Sequence, residues 1–198
     1  MSAGVHKRRI SGADGQTWPA QRGDAPAVPK PPVMCFLYED LASPEPEPIF
    51  GQYPRGFIAK VLPWLRCERR EVLHVCSGAL SPGEGLRVDI RQGARPDVRA
   101  DGRALPFRSS SVKAVLIDPP YARHYAEDLY GVEYPRPSRL LFEAARVVRP
   151  GGRVAIVHYI TPAPAPGLRA VKIFGLSTGF DYPMRAVTIF EREQERLL

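Results

Sequence analysis

Short apolar runs separated by turn residues follow one another along the chain from Met34 onward. Several runs lack a strict alternation of polar and apolar residues, which is typical of strands covered on both faces. The runs lie at residues 71–76, 85–90, 98–101, 112–118, 152–159, 169–175 and 185–191. They predict the strands of one sheet, and the last two predict a closing hairpin.

Two further stretches carry apolar residues at helical spacing. The first, residues 57–65, contains Pro63, which predicts a kink or an early end. The second, residues 138–152, has Ser138 as a candidate N-cap and a Pro-Gly-Gly stop at 150–152. Its apolar face consists of Leu140, Leu141, Ala144, Val147 and Val148. Strands and helices in this order predict a mostly parallel α/β sheet.

The crossovers between the first strands are short. Only residues 79–85 separate the first two strands, and residues 91–96 separate the next two. Neither segment is long enough for the usual crossover helix. One face of the sheet therefore lacks two helices, and we expect residues 33–66, a second subunit, or both to cover it.

Composition divides the chain near residue 32. Residues 1–32 are rich in Gly, Ala, Pro, Ser and basic residues and have almost no apolar periodicity, which predicts a disordered tail. Residues 33–198 are long enough to form a single domain with its own core. The formal net charge of +7 favours a polyanionic partner such as nucleic acid but does not identify one.

Cysteine content and hydropathy indicate the compartment. Cys35, Cys67 and Cys76 are widely spaced, odd in number and fit no zinc-binding pattern, so we expect no metal site and a reducing, cytoplasmic setting. No apolar run approaches the roughly 20 residues of a membrane span. No secretory signal follows the basic N-terminal residues.

The most apolar run ends in an unusual corner, Asp-Pro-Pro-Tyr at 118–121. Proline cannot donate a ladder hydrogen bond, so Pro119 and Pro120 end the strand, and Pro119 restricts Asp118 to an extended conformation. The corner presents a carboxylate, backbone carbonyls and the ring of Tyr121. Such a set of groups suits a flat substrate that forms hydrogen bonds.

This corner carries a resemblance to a known family. Asp118 to Tyr121 fits in full the [DNS]-P-P-[YFW] hallmark of the amino-methyltransferases that modify adenine-N6 or cytosine-N4 in DNA. The flanks at 100–117 and 140–159 resemble the family's usual neighbours of that motif, in the expected order. Residues 50–191 therefore resemble a class I S-adenosylmethionine-dependent methyltransferase. The resemblance implies a Rossmann-like fold with an antiparallel last strand, S-adenosyl-L-methionine as cofactor and DNA as partner.

The resemblance also implies the catalytic roles. The carboxylate of Asp118 and the carbonyl of Pro119 would accept the hydrogens of an exocyclic amine, while Pro120 stiffens the corner and Tyr121 stacks on a flipped base. The catalytic set is therefore Asp118, Pro119, Pro120 and Tyr121.

Cofactor residues follow from the same resemblance. Residues 72–80 resemble the first cofactor motif, in which Gly78 matches the central glycine while His74 replaces the usual acid and Cys76 the first glycine. Asp89 matches the acid that binds ribose, and Asp101 the acid near the adenine amine. The implied set is Tyr53, His74, Cys76, Ser77, Gly78, Asp89, Asp101 and Gly102. Packing at the end of a strand is the alternative for His74 and Cys76.

The sequence does not decide which molecule accepts the methyl group. Residues 122–137 are too few for an added recognition region, so sequence-specific recognition must be minimal or supplied by a partner. Candidate target-gripping or phosphate-binding residues there are Arg123, His124, Tyr125, Glu127, Asp128, Tyr130, Tyr134 and Arg136, with His158 on the next strand. The alternatives to DNA are guanine-N2 in RNA, protein glutamine, or a degenerate scaffold that binds nucleic acid without catalysis.

Overall fold

The computed structural model describes the backbone of residues 33–37 and the whole of residues 53–194. The predicted tail, residues 1–32, lies outside the described residues. So do Phe50 to Gln52, which begin the stretch 50–57. This stretch, which contains Tyr53, resembles the additional cofactor motif that the methyltransferase family places before its first strand.

Eight strands form one sheet in the order β1-β7-β8-β6-β5-β2-β3-β4. Only β8 runs antiparallel to its neighbours β6 and β7, and every other pairing is parallel. The strands are β1 (Val33–Leu37), β2 (Val72–Val75), β3 (Leu86–Asp89), β4 (Val98–Arg99), β5 (Val112–Ile117), β6 (Val148–His158), β7 (Leu168–Ser177) and β8 (Arg185–Arg192). This arrangement confirms the predicted α/β, Rossmann-like sheet with an antiparallel last strand.

Helix α1 (Phe57–Leu65) covers one face of the sheet. It keeps Pro63 within its last turn and ends before Arg66, which adopts a left-handed backbone conformation with φ of 53°. Its apolar side, led by Phe57, Val61 and Leu65, is buried against β5, β6 and β8. Each such side chain contributes roughly 1.5–3 kcal/mol when it is fully buried.

Helix α2 (Pro137–Val147) covers the opposite face. The helix begins with Pro137 at its first turn and Arg136 at the N-cap position, so the predicted cap by Ser138 is wrong. Proline suits this position because its missing N–H would have no partner there. The helix ends at Val147 rather than at the Pro-Gly-Gly sequence, because Val148 already pairs with Val112 and the glycines lie in an irregularity of β6.

The shortened crossovers are confirmed, and the chain itself covers part of the face that they leave open. The loop between β2 and β3 folds back over the sheet, where the carbonyl of Glu84 lies 2.8 Å from His74 Nε2 and the carbonyl of Leu80 accepts from Arg87. Of the segment 33–66 that we expected to cover this face, helix α1 packs on it together with Leu80 of this loop, whereas residues 33–37 do not. They pair with β7 and form the sheet's edge instead.

Candidate active site at the carboxyl edge of the sheet

A cavity of about 260 Å³ opens where the parallel strands β2, β3, β4 and β5 reach their carboxyl ends. Open α/β sheets bind ligands at this edge. Of the residues that the sequence predicted for a site, the cavity is lined by Cys76, Asp89, Asp101, Gly102, Asp118, Pro119, Pro120 and Tyr121. Strand-end residues that lie far apart in the sequence thus meet in one place.

At the Asp-Pro-Pro-Tyr corner, the Tyr121 hydroxyl donates a hydrogen bond of 2.6 Å to Asp118 Oδ1. The backbone amide of Asp118 donates to the carbonyl of Val75, which fixes the corner to the neighbouring strand. Burial raises the pKa of Asp118 to about 6, while the bond from Tyr121 and the charge of Arg185 oppose that rise. The carboxyl group therefore titrates close to neutral pH.

Tyr121 is held from several sides. Arg185, the first residue of β8, donates from Nη1 to the Tyr121 hydroxyl at 3.3 Å. The ring of Tyr159 lies 4.7 Å from the Tyr121 ring, and the His158 ring meets it edge-on at 5.7 Å. Burial, with the negative charge of Asp118, keeps the pKa of Tyr121 far above its ordinary value, so this hydroxyl is a permanent donor.

Asp89 closes β3 with a carboxylate that is only 5% exposed. Its Oδ2 accepts from the backbone N–H of Gly78 at 2.9 Å, and its Oδ1 accepts from the N–H and the Nε of Arg91 at 2.9 and 3.2 Å. The Arg91 guanidinium also stacks over the Tyr130 ring, 4.6 Å from its centroid.

Asp101, just after β4, is held in the same way by the arginine two positions later. Arg103 donates from its backbone N–H, Nε and Nη2 to this carboxylate, and these bonds lower the pKa of Asp101. Nη1 of Arg103 also lies 2.9 Å from Glu133 Oε2, on the segment after the corner. Gly102 leaves no room for a side chain, since a Cβ there would lie 2.6 Å from Val75.

Both predicted cofactor acids therefore stand in an Asp-x-Arg clasp. The arginines hold the acids in place and occupy acceptor sites that a ligand's hydroxyl or amino group would use. Three arginines also line the cavity, namely Arg91, Arg103 and Arg185. None of them belongs to the motifs from which the sequence predicted the site. For Arg91 and Arg103, the repeated Asp-x-Arg spacing is the sequence feature that could have predicted their place beside the two acids.

The loop after β2 keeps the backbone shape of a glycine-rich turn with fewer glycines. Cys76 has a φ of 58° and Gly78 a φ of 53°, both in the left-handed region. Cys76 thus takes a conformation that favours glycine and places its thiol on the cavity wall, where burial, with the nearby acids, raises its pKa. Ser77 is buried, and its hydroxyl has no hydrogen-bond partner among the described residues.

Four of the predicted cofactor residues do not line the cavity, namely Tyr53, His74, Ser77 and Gly78. His74 is fully buried on the α1 side of the sheet, with Nε2 against the Glu84 carbonyl and Nδ1 3.4 Å from the Tyr53 hydroxyl. Burial lowers the pKa of His74 to about 4, so the ring is neutral. The strand alternation explains this placement, because Leu73 and Val75 face the other side.

The segment after the corner forms one wall of the cavity. A single π-helical turn, Tyr125–Leu129, carries Tyr125 and Leu129 towards the site, followed by Tyr130, Val132, Glu133 and Pro135. His124, Glu127 and Asp128 from the predicted loop are exposed and do not line it. His158 is buried, accepts from the Ile160 N–H at Nδ1 and lies 3.3 Å from the Tyr134 hydroxyl at Nε2, so it is a satisfied structural histidine.

A solved structure of the same architecture supports the fold. TrmN from Thermus thermophilus superposes with a TM-score of 0.54 at 20% identity, covering 72% of this chain and 50% of TrmN. The chain has the Rossmann-like fold of class I methyltransferases. The yhhF protein from Escherichia coli matches at a TM-score of 0.49 and 11% identity over 75% of this chain and 92% of its own. The N-methyltransferase NodS from Bradyrhizobium japonicum matches at 0.47 and 12% over 71% and 96%.

This chain spans about half the length of TrmN. No protein-family model and no curated protein sequence matches the chain. Over residues 53–194 and the backbone of 33–37, no helix is long and apolar enough to cross a membrane. The same part of the chain contains no group of His, Cys, Asp and Glu side chains that could hold a metal ion.

Proposed function

We propose that this protein transfers a methyl group from S-adenosyl-L-methionine to an exocyclic amine of a nucleic-acid base, adenine-N6 or cytosine-N4 in DNA. The observation that carries the proposal is the meeting of three strand-end carboxylates, Asp89, Asp101 and Asp118, around one cavity. Two of them suit the cofactor and the third suits the acceptor. The acting unit is a single domain, residues 33–198, in the cytoplasm.

The cavity fits the polar groups of the cofactor on one side. Asp89 offers two adjacent carboxylate oxygens for the ribose hydroxyls, and Asp101 with the backbone of Gly102 would meet the adenine edge. Arg91 must leave at least one Asp89 oxygen for this to happen. When bound, S-adenosyl-L-methionine supplies a methyl group that is already activated by its positive sulfur.

The Asp-Pro-Pro-Tyr corner at 118–121 would bind and orient the methyl acceptor. An exocyclic amine is a poor nucleophile because its lone pair is delocalised into the ring. Ionised Asp118 and the Pro119 carbonyl would accept hydrogen bonds from its two N–H groups, which frees the lone pair and aims it across the cavity. Once the nitrogen carries the methyl group, Asp118 would take the proton that the nitrogen loses. Orientation of this kind accounts for much of a catalytic rate, and no covalent intermediate with the protein is required.

The acceptor side is aromatic and basic, which suits a base in a nucleic-acid strand. Tyr121, Tyr125 and Tyr159 line the cavity together with Asp118, and Arg185 adds a positive charge. Stacking of one base on such a ring contributes about 1–3 kcal/mol. Since residues 122–136 form the cavity wall, they leave no separate recognition region, and we expect weak sequence preference or a specificity partner.

The test offers isotopically labelled S-adenosyl-L-methionine with single- and double-stranded DNA, RNA and protein in parallel. The labelled polymer is digested, and mass spectrometry identifies the modified unit. N6-methyladenine or N4-methylcytosine is the expected product, and Asp118→Ala, assayed at its initial rate, is the matched slow control. Label in guanine-N2 of RNA or in protein glutamine would identify that unit as the acceptor in place of a DNA base. Label transfer by the Asp118→Ala protein at the wild-type rate would exclude the proposed role of the corner.

The two Asp-x-Arg clasps favour a second candidate, a nucleic-acid-binding protein that has lost catalysis. Arg91 and Arg103 occupy acceptor oxygens that the cofactor would need, and Cys76 stands where a glycine would give the ligand more room. Calorimetric titration separates the two candidates. A folded protein without measurable affinity for S-adenosyl-L-methionine would favour this second function.

A further inference from the structure

The loop between β7 and β8 exposes an unusual set of large apolar side chains. In residues 178–184, here called the hairpin tip, Phe180 is 97% exposed, Tyr182 68% and Met184 54%. Gly179 with a φ of 142° and Asp181 with a φ of 62° turn the chain sharply between the strands. Exposed apolar groups in a cluster of this kind usually mark a contact surface.

The hairpin tip emerges beside the candidate active site. Arg185, which follows the tip and begins β8, lines the cavity and donates to the Tyr121 hydroxyl at 3.3 Å. The next residue, Ala186, pairs with His158 at the carboxyl end of β6. Tyr159, which follows, is 39% exposed and has its ring 4.7 Å from that of Tyr121. Aromatic surface therefore adjoins the cavity on the side from which the tip emerges.

We propose that the hairpin tip binds unpaired nucleotides next to the target base, with Phe180 and Tyr182 as stacking surfaces. The proposal rests on the proposed function in assigning a nucleic-acid acceptor. A base that enters the cavity must leave its stack, so its neighbours also lose contacts. Exposed rings beside the cavity would restore stacking to those neighbours, whichever base they carry.

Size and charge favour a nucleic-acid strand over a protein partner. A stable protein interface buries about 800 Å² on each partner, which is more than a tip of residues 178–184 can offer by itself. A single base needs only one ring face. The tip contains one acidic residue, Asp181, and is followed by the guanidinium of Arg185, while the whole chain carries a formal net charge of +7.

The experiment measures binding of a fluorescein-labelled, mixed-sequence single-stranded DNA by anisotropy, with the same sequence as duplex DNA and as RNA in parallel arms. The full chain is compared with Phe180→Ala, Phe180→Leu and Phe180→Tyr. Phe142→Ala is the matched control, because Phe142 is an exposed phenylalanine (58%) on α2 that does not line the cavity. S-adenosyl-L-methionine affinity is titrated for every variant.

We expect Phe180→Ala and Phe180→Leu to weaken single-strand binding about tenfold, which is the loss of one stacked base. Phe180→Tyr should bind like the wild type, and a stronger effect on RNA than on DNA would assign the strand type. Equal binding by Phe180→Ala and Phe142→Ala, or full rescue by leucine, overturns the inference. So does a change of oligomeric state in Phe180→Ala, which would mark the tip as a contact between copies.

Failure of the proposed function would look different. If the protein binds no S-adenosyl-L-methionine but Phe180→Ala still weakens single-strand binding, the methyl-transfer proposal fails and the tip inference stands. If the cofactor binds and labelled methyl groups are transferred while Phe180→Ala binds the oligonucleotide normally, the methyl-transfer proposal stands and the tip inference fails.

Discussion

The Tyr121 hydroxyl donates a 2.6 Å hydrogen bond to Asp118, three positions before it in the same corner. The two side chains therefore act as a pair. The tyrosine that the family resemblance assigns to base stacking also holds the carboxylate that is assigned to the amine. Burial raises the pKa of Asp118, and this bond and the nearby charge of Arg185 oppose that rise, so both favour the ionised form.

Asp118→Ala should lower methyl-transfer turnover roughly a hundred- to a thousandfold. This range corresponds to about 2.7–4 kcal/mol, the scale for one preorganised polar contact to a transition state. Asp118→Asn should retain more activity, because its amide oxygen still accepts a hydrogen bond. Single-turnover rates with labelled cofactor measure the effect, and cofactor affinity should change little. An Asp118→Ala enzyme as fast as the wild type would remove the carboxylate from the mechanism.

Tyr121→Phe should move the pH dependence of turnover. The ionised carboxylate of Asp118 accepts an amine hydrogen more strongly than the protonated acid, so activity should rise with pH through the pKa of about 6. The bond from Tyr121 lowers that pKa, and its loss should raise the half-activity pH by about one unit, since a hydrogen bond to a charged group contributes about 1.5 kcal/mol or more. A pH–rate profile tests this. If Tyr121 acts through its ring alone, the profiles of the two proteins will coincide.

Asp89→Ala should weaken S-adenosyl-L-methionine binding by about 1.5–3 kcal/mol, the range for a charge-assisted hydrogen bond. Arg91→Ala should have the opposite effect, because it frees the Asp89 carboxylate and removes a positive charge facing a cationic ligand. A severalfold gain in affinity by titration calorimetry is the expected result. Arg149→Ala, the same charge change at an exposed position outside the cavity, is the control and should leave affinity unchanged.

Convergence of the acids followed from one rule of sheet geometry. Asp89, Asp101 and Asp118 each end or follow a strand, and the carboxyl ends of parallel strands meet at one edge. The same period-2 alternation that places Leu73 and Val75 on the α2 side sends His74 to the other side. The strand pattern therefore already indicated that the His74 side chain would lie on the face away from the cavity.

Other features depend on loop conformation, which the apolar pattern does not record. The clasp of Arg91 on Asp89 requires the turn after β3 to bring a guanidinium back onto the preceding residue. The contact between Arg185 and Tyr121 joins residues 64 positions apart in sequence. The apolar pattern does not predict strand β1 either. The isolated run at 33–37 has no partner nearby in the sequence and pairs with β7 near the other end of the chain.

Deletion of residues 1–30 should leave melting temperature and cofactor affinity nearly unchanged. The deletion stops before Val33–Leu37, which forms the edge strand of the sheet, and a tail of this composition is expected to contribute few packed contacts. If its basic residues assist nucleic-acid binding, the salt dependence of that binding should become flatter. A large drop in melting temperature would place the domain boundary earlier than residue 33.

Asp118→Asn should stabilise the fold at neutral pH and not in acid. Burial raises the folded-state pKa of Asp118 to about 6, above the ordinary value of 3.8. Between these values the native state binds more protons than the unfolded chain, so this group makes stability fall as pH rises, and the loss is complete above about pH 6. Asparagine carries no such penalty.

The stability gain of Asp118→Asn should therefore be about 1–2 kcal/mol at pH 7.5, less than the full equivalent of the pKa shift because the carboxylate adjoins an open cavity. The gain should disappear below about pH 3, where the wild-type group is protonated in both states. Thermal melts of both proteins at several pH values measure the difference, with Asp128→Asn at an exposed position as the control. A gain of equal size at both ends of the pH range would show that the substitution acts through packing and not through the ionisation of Asp118.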